Sequence, residues 1–107
     1  MRSPTAYARG TIAREGQVRS DGEGNRFLEL TIEMEDPTPH RGRQFRQRIG
    51  VRSYRPSDIA QIRELGKGVL ISVEATAVDA ASWTDRATGQ VFSIARLTGV
   101  VTILPQE

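Results

Sequence analysis

Arginine is the residue type in this chain best suited to chemistry with an anion. Arg41, Arg43, Arg46, Arg48, Arg52 and Arg55 fall in one window, and no acidic residue lies between Asp36 and Asp58. A guanidinium is planar, permanently charged and weakly hydrated. It therefore grips phosphate through paired N–H bonds and stacks on flat rings. Phe45 and Tyr54 lie inside the same window, and the only tryptophan, Trp83, follows downstream with Arg86 close behind it. Rings and guanidiniums together make an electrostatic footprint for a polyanion carrying flat groups. The competing reading is a solvated face whose arginines are paired internally.

Two strands must position that window. Residues 27–35 alternate, with Leu28, Leu30, Ile32 and Met34 on one side and Glu29, Thr31, Glu33 and Glu35 on the other. Period two marks a half-buried strand. Residues 46–52 put Arg46, Arg48 and Arg52 on one face and Ile49 and Val51 on the opposite one. Between them, residues 36–43 contain Pro37, Pro39 and Gly42 and read as a loop. A hairpin centred near His40 sets Glu35 opposite Arg46, Glu33 opposite Arg48 and Glu29 opposite Arg52. The same register pairs Ile32 with Ile49 and Leu30 with Val51. Each opposite-charge pair across a sheet contributes about 0.2–1 kcal/mol. An arginine platform and a ladder of such pairs are not exclusive, because an arginine held by glutamate still contacts phosphate at a cost.

Composition narrows the remaining classes. The chain has 107 residues, 15 Lys plus Arg, 13 Asp plus Glu and a formal charge of +2. Its pI is about 9.7. Lys67 is the only lysine, so arginine supplies nearly all the positive charge. With no cysteine, disulfides, thiolate metal sites and cysteine nucleophiles are excluded. His40, the only histidine, has no motif joining it to a nucleophile or to further metal ligands. Glu35 with Asp36 reads as a strand-end surface pair. The expectation is a non-enzyme without cofactor or metal. No apolar run reaches the length of a membrane span and no signal peptide is visible, which points to a cytoplasmic protein.

The rest of the chain supplies a barrel. Residues 1–6 read as a flexible tail. Residues 7–19 read as a strand anchored by Tyr7, Ile12 and Val18, with Gly10 and Gly16 allowing bends, and residues 20–25 read as a turn. Pro56 and Asp58 suit a helix start, and Ile59, Ile62 and Leu65 continue it for two to three turns until Gly66 and Gly68. Residues 69–78 read as a strand with Val69, Ile71, Val73, Ala75 and Ala77 on one face. Residues 79–82 read as a small-residue link, 83–92 as a hairpin tip turning at 87–89, and 93–104 as the last strand. Phe27 and Phe92 read as barrel packing. The order of three strands, one helix and two strands is that of the OB-fold, an all-β, five-stranded Greek-key barrel with one short helix between strands three and four. One such domain spanning residues 1–107 is expected.

Four segments in this order resemble the bacterial single-stranded DNA-binding protein family. Residues 10–19 with their following glycine turn resemble its first strand. Gln47-Arg48-Ile49-Gly50-Val51 resembles its third strand, residues 66–75 its fourth, and Trp83-Thr84-Asp85 with Gly89-Gln90 its hairpin. The resemblance covers residues 10–104. It implies sequence-independent binding of single-stranded DNA, with RNA as the alternative, by base stacking and phosphate contacts. By position, Trp83 matches a stacking residue and Arg48 a phosphate-contacting one. Arg46 and Arg52 fall where the family often has rings. Arg41, Arg43, Phe45, Tyr54 and Arg86 complete the candidate set. The resemblance also implies a homo-oligomer, a dimer or tetramer, assembled through first strands and sheet faces.

Three features depart from that pattern. The segment before Trp83 is Val78-Asp79-Ala80-Ala81-Ser82 where the family is basic. Glu29, Glu33 and Glu35 lie beside the arginines. The family's flexible linker and acidic tip have no counterpart before Pro105-Gln106-Glu107, so partners recruited through such a tail are not expected. These departures keep a second reading open, an OB-fold protein–protein module of a replication, secretion or mobile-element complex. An oligosaccharide-binding role has only the fold behind it.

Overall fold

The computed structural model describes residues 6–35 and 46–106, except for the side chains of Glu35 and Arg46. The elements are β1 (Ala6–Ser20), β2 (Arg26–Glu35), β3 (Arg46–Ser53), α1 (Pro56–Ala60), β4 (Leu70–Thr84) and β5 (Val91–Ile103). The strands close into a barrel in the order β1-β2-β3-β5-β4. Its one parallel seam among the described residues is short, Gly50↔Arg96, Val51↔Leu97 and Arg52↔Thr98 of β3 and β5. This is the OB-fold arrangement that the element order implies, with the helix between β3 and β4.

Alternation along each strand makes the core. Ile12, Leu28, Leu30, Ile32, Val51, Ile71 and Val73 are each no more than 2% exposed. Each such side chain contributes about 1.5–3 kcal/mol by leaving water. The β2–β3 register is the expected one, residue for residue: Glu35↔Arg46, Glu33↔Arg48, Ile32↔Ile49, Leu30↔Val51 and Glu29↔Arg52. The apolar face of β2 admits no other pairing, because a one-residue slip turns Leu28, Leu30 and Ile32 to solvent.

Several expectations are corrected. Tyr7 is no anchor; it is 62% exposed, because the inward positions of β1 are Ala8, Gly10 and Ile12. Ala6 opens β1 and is not tail, while residues 1–5 lie outside the described residues, as does the loop with His40, Arg41, Arg43 and Phe45. The helix is shorter than expected. After α1 the chain tightens into a 3-10 turn at Ile62–Glu64. Ile59, Ile62 and Leu65 are spaced by three, the 3-10 period, and the tighter winding brings Leu65 to 1% exposure. Residues 79–82 are not a link but part of β4, paired to residues 93–96 of β5. A register shift between Ala75 and Ala77 turns Ala77 outward, away from the face of Ile71, Val73 and Ala75. Beside that shift, Gly99 lies so close to β4 that a Cβ on it would stand 2.6 Å from Ala75 Cα, so only glycine fits. No helix among the described residues is long and apolar enough to cross a membrane.

One polar residue locks the helix to the barrel. Asp58 is 1% exposed and its Oδ2 accepts from Ser53 Oγ at 2.6 Å and from the Val101 backbone N–H at 3.0 Å. Ser53 Oγ in turn accepts from the Arg55 backbone N–H at 3.2 Å. Helix, β3 and β5 thus share one carboxyl group. Asp58→Ala leaves a buried N–H and a buried hydroxyl short of a partner, and the loss expected is about 1–3 kcal/mol per orphaned group. Urea unfolding measures it; unchanged stability would contradict this role.

Candidate nucleic-acid interface

Beyond the barrel, residues 80–84 of β4 and 91–95 of β5 pair only with each other among the described residues, forming a two-stranded arm that starts from the Asp79↔Arg96 pair at the barrel's edge. Directly opposed residues of an antiparallel pair share a face. The register therefore puts Trp83 with Phe92, Ala81 with Ile94 and Asp79 with Arg96 on one side of the arm. Trp83 and Phe92 stack, with centroids 5.7 Å apart and planes 18° from parallel. They remain 53% and 37% exposed. Phe92 is thus not barrel packing; the hairpin register carries it out with the tryptophan.

Between this face of the arm and the outer face of β1, β2 and β3 lies a groove of about 670 Å³. Trp83, Ile94 and Arg96 line it from the arm, and Arg48, Glu29 and Arg14 line it from the barrel. The groove brings Trp83 and Arg48 together, as the sequence reading requires.

The arginine row of β3 divides into two states. Arg48 is open, its side chain 63% exposed, with Nε 3.4 Å from Glu33 Oε2. Such a solvated pair is worth at most about 1 kcal/mol, so it holds Arg48 weakly. Arg52 is only 22% exposed and is held by aromatic and polar neighbours. Its guanidinium sits 5.6 Å from the Phe27 ring centroid and 5.5 Å from that of Tyr54. Its Nε donates to Thr98 Oγ1 at 3.4 Å. The facing Glu29 is taken by Arg19 at 3.0 Å, so backbone register and side-chain pairing differ at that rung. Arg46 lies opposite Glu35 by its backbone. Tyr54, 37% exposed, rests 5.3 Å from Phe27, and Arg86 stands on the exposed turn at the far end of the arm.

Sequence reasoning missed Arg96, Asp79 and Phe92. Arg96 Nε and a terminal nitrogen donate to the two Asp79 oxygens at 2.9 and 2.6 Å. These bonds hold the Asp79 carboxyl below the usual carboxylate range and raise the Arg96 guanidinium. The register turns on the six-residue loop 85–90, with Thr84 opposite Val91, Trp83 opposite Phe92 and Asp79 opposite Arg96. A turn centred on 87–89 sets 83 opposite 93, one residue off, and reading 79–82 as a link hid the pairing altogether.

No protein-family model matches the sequence, and no curated protein matches it. Solved structures do match in shape. A Plasmodium falciparum single-stranded DNA-binding protein in complex with single-stranded DNA superposes with a TM-score of 0.70 at 13% identity, covering 98% of this chain and 97% of that one. A small single-stranded DNA-binding protein from Streptomyces coelicolor gives 0.72 at 14%, covering 96% and 95%. The mitochondrial single-stranded DNA-binding protein of S. cerevisiae gives 0.64 at 22%, covering 100% and 99%.

The pH dependence of stability follows from the carboxylates. A lowered carboxyl pKa stabilises the fold above the ordinary value of about 3.9, and the gain is lost as pH falls through the depressed value. Asp79 acts in this direction through Arg96, and Asp21 through the Asn25 backbone N–H. Melting temperature is expected to lose the Asp79 contribution only below about pH 4. Asp79→Asn should make that acid-side fall shallower; identical profiles for the two proteins would contradict the assignment. Across its described length, this chain adopts the OB-fold of those single-stranded DNA-binding proteins.

Proposed function

We propose that the chain binds single-stranded DNA without sequence preference, in the groove between the arm and the barrel. The observation that carries this reading is the exposed indole of Trp83, backed by the Phe92 ring stacked on it, lining the same groove as the open guanidinium of Arg48. Bases stack on the indole and the phenyl ring, while phosphates track Arg48 and the neighbouring cations Arg14 and Arg19. Arg46, two positions from Arg48 on β3, extends the track by backbone position, and Arg41, Arg43 and Phe45 would continue it. Arg52 and Tyr54 support its inner end, and Arg86 meets a strand leaving past the turn. The titles to affinity are counterion release and stacking, neither of which reads base identity. Binding, not catalysis, is the work assigned to these residues, and a cytoplasmic location suits the ligand. The likeness to proteins solved as single-strand binders supports the same reading.

Titration with oligo-dT tests it. Trp83 fluorescence should be quenched, and log K should fall with log salt by about 0.7 for each phosphate contact. Trp83→Ala should cost about 1–3 kcal/mol if one base stacks there. Absence of quenching and of a gel shift at low salt would reject the reading; tighter binding of oligo-U would assign the groove to RNA.

We also infer a homo-oligomer, a dimer or tetramer. Exposed Tyr7 on β1, 62% accessible beside Glu74 of β4, gives the outer sheet face an aromatic contact point. Light scattering after size exclusion should return a multiple of the 11.8 kDa chain mass. A monomer mass at all concentrations would contradict this.

A further inference from the structure

We propose that Arg52 and Arg96 form an anion-binding site that Asp79 keeps occupied from within, so that Asp79 sets how tightly the groove holds a phosphate backbone. The inference rests on the single-strand reading for its ligand but not for its geometry. Arg96 presents its fork to Asp79, Nε to one oxygen at 2.9 Å and a terminal nitrogen to the other at 2.6 Å. That is the two-point grip a guanidinium uses on phosphate. A terminal nitrogen of Arg52 lies 3.9 Å from the same Asp79 Oδ2. Two cations from two strands therefore converge on one oxygen of one carboxylate.

The cations are the fixed part of this arrangement and the anion is the outer part. Arg52 is held against the adjoining rings of Phe27 and Tyr54, which contact each other, and by Thr98. The stem of Arg96 lies across Gly50, with its Cβ and Cγ only 3.6 Å from where a Gly50 side chain would begin. The two arginine side chains are 22% and 23% exposed, against 47% for Asp79. Removing the carboxylate leaves two preorganised guanidiniums side by side, of which Arg96 already lines the groove and Arg52 lies beside it at the shared carboxylate position. The nearest other acid on β2, Glu29, is engaged by Arg19 at 3.0 Å. An internal carboxylate competes with every phosphate that reaches the site, because its tether keeps its local concentration high.

Asp79→Asn removes the charge and keeps the shape, with Asp79→Ser as a second variant should the first fail to fold. Oligo-dT binding is followed by anisotropy across a salt series for the wild type, Asp79→Asn and Asp79→Asn with Arg96→Gln. Asp79→Asn should bind more tightly, and its plot of log K against log salt should steepen by about 0.7, the contribution of one further single-strand phosphate contact. Arg96→Gln in that background should cancel the gain. In parallel, tripolyphosphate should raise the melting temperature of Asp79→Asn more than that of the wild type. An equal or absent shift overturns the anion site. An unchanged salt slope, or weaker binding at unchanged stability, overturns the control of DNA affinity and leaves Asp79 as an orienting group for Arg96. Selective stabilisation by tripolyphosphate with no oligo-dT binding by any variant would leave the anion site standing and reject the single-strand reading.

Discussion

The register of the β4–β5 ladder is the constraint on which the rest depends. It runs from Ile71↔Ile103 to Thr84↔Val91 with one shift between Ala75 and Ala77. Its inner half buries Ile71, Val73, Ala75, Leu97 and Val101 in the barrel. Its outer half carries the stacked rings and the Asp79–Arg96 pair into solvent. The shift reverses which face of β4 looks outward, so one continuous hairpin serves as wall at one end and as arm at the other. Gly99 permits the close strand contact next to the shift, and Asp58 ties the inner half of β5 to the helix and β3. A slip of one residue would part Trp83 from Phe92 and Asp79 from Arg96 at once.

Net charge is a poor guide to this surface. A formal charge of +2 on 107 residues suggests little attraction for a polyanion. The field near the groove is set by which cations are free to act. Arg48 is solvated and weakly paired, whereas Arg52 and Arg96 are part-buried, held in place and answered by Asp79. Screening over about 10 Å at 0.1 M salt means that a bound strand senses this local arrangement more than the distant acids. The acidic face of β2, which argued against a phosphate track in the sequence, is partly spent on Arg19 and Arg48. It moderates the groove without closing it.

The parts of this architecture that obey a short-range rule were legible in the sequence. Strict alternation in β2 and the proline-glycine loop fixed the β2–β3 pairing down to Glu33 opposite Arg48. The element order implied the OB-fold. The arm was less legible because Ala80, Ala81 and Ser82 have no strong strand preference, and their pairing comes from the neighbouring strand. For the same reason Phe92 read as core, since an isolated phenylalanine does not announce that its cross-strand partner lies in solvent. Arg52 was placed on the correct face, but its turn toward Phe27 and Tyr54 depends on rings brought together only by the fold. Asp58 looked like a helix-start residue, and its distant partner on β5 was invisible from local pattern.

The central claim is that the indole of Trp83 and the guanidiniums around it act on one strand in one groove. Because Trp83 is the only tryptophan, its indole N–H gives a single resolved signal in a ¹H–¹⁵N NMR spectrum. During titration with a short oligo-dT at low salt, that signal and the Nε–H signals of Arg48 and Arg96 should shift together with one apparent affinity. Raising the salt should return them together. Shifts confined to the face around Tyr7, with the indole signal unmoved at saturating oligo-dT, would contradict the claim.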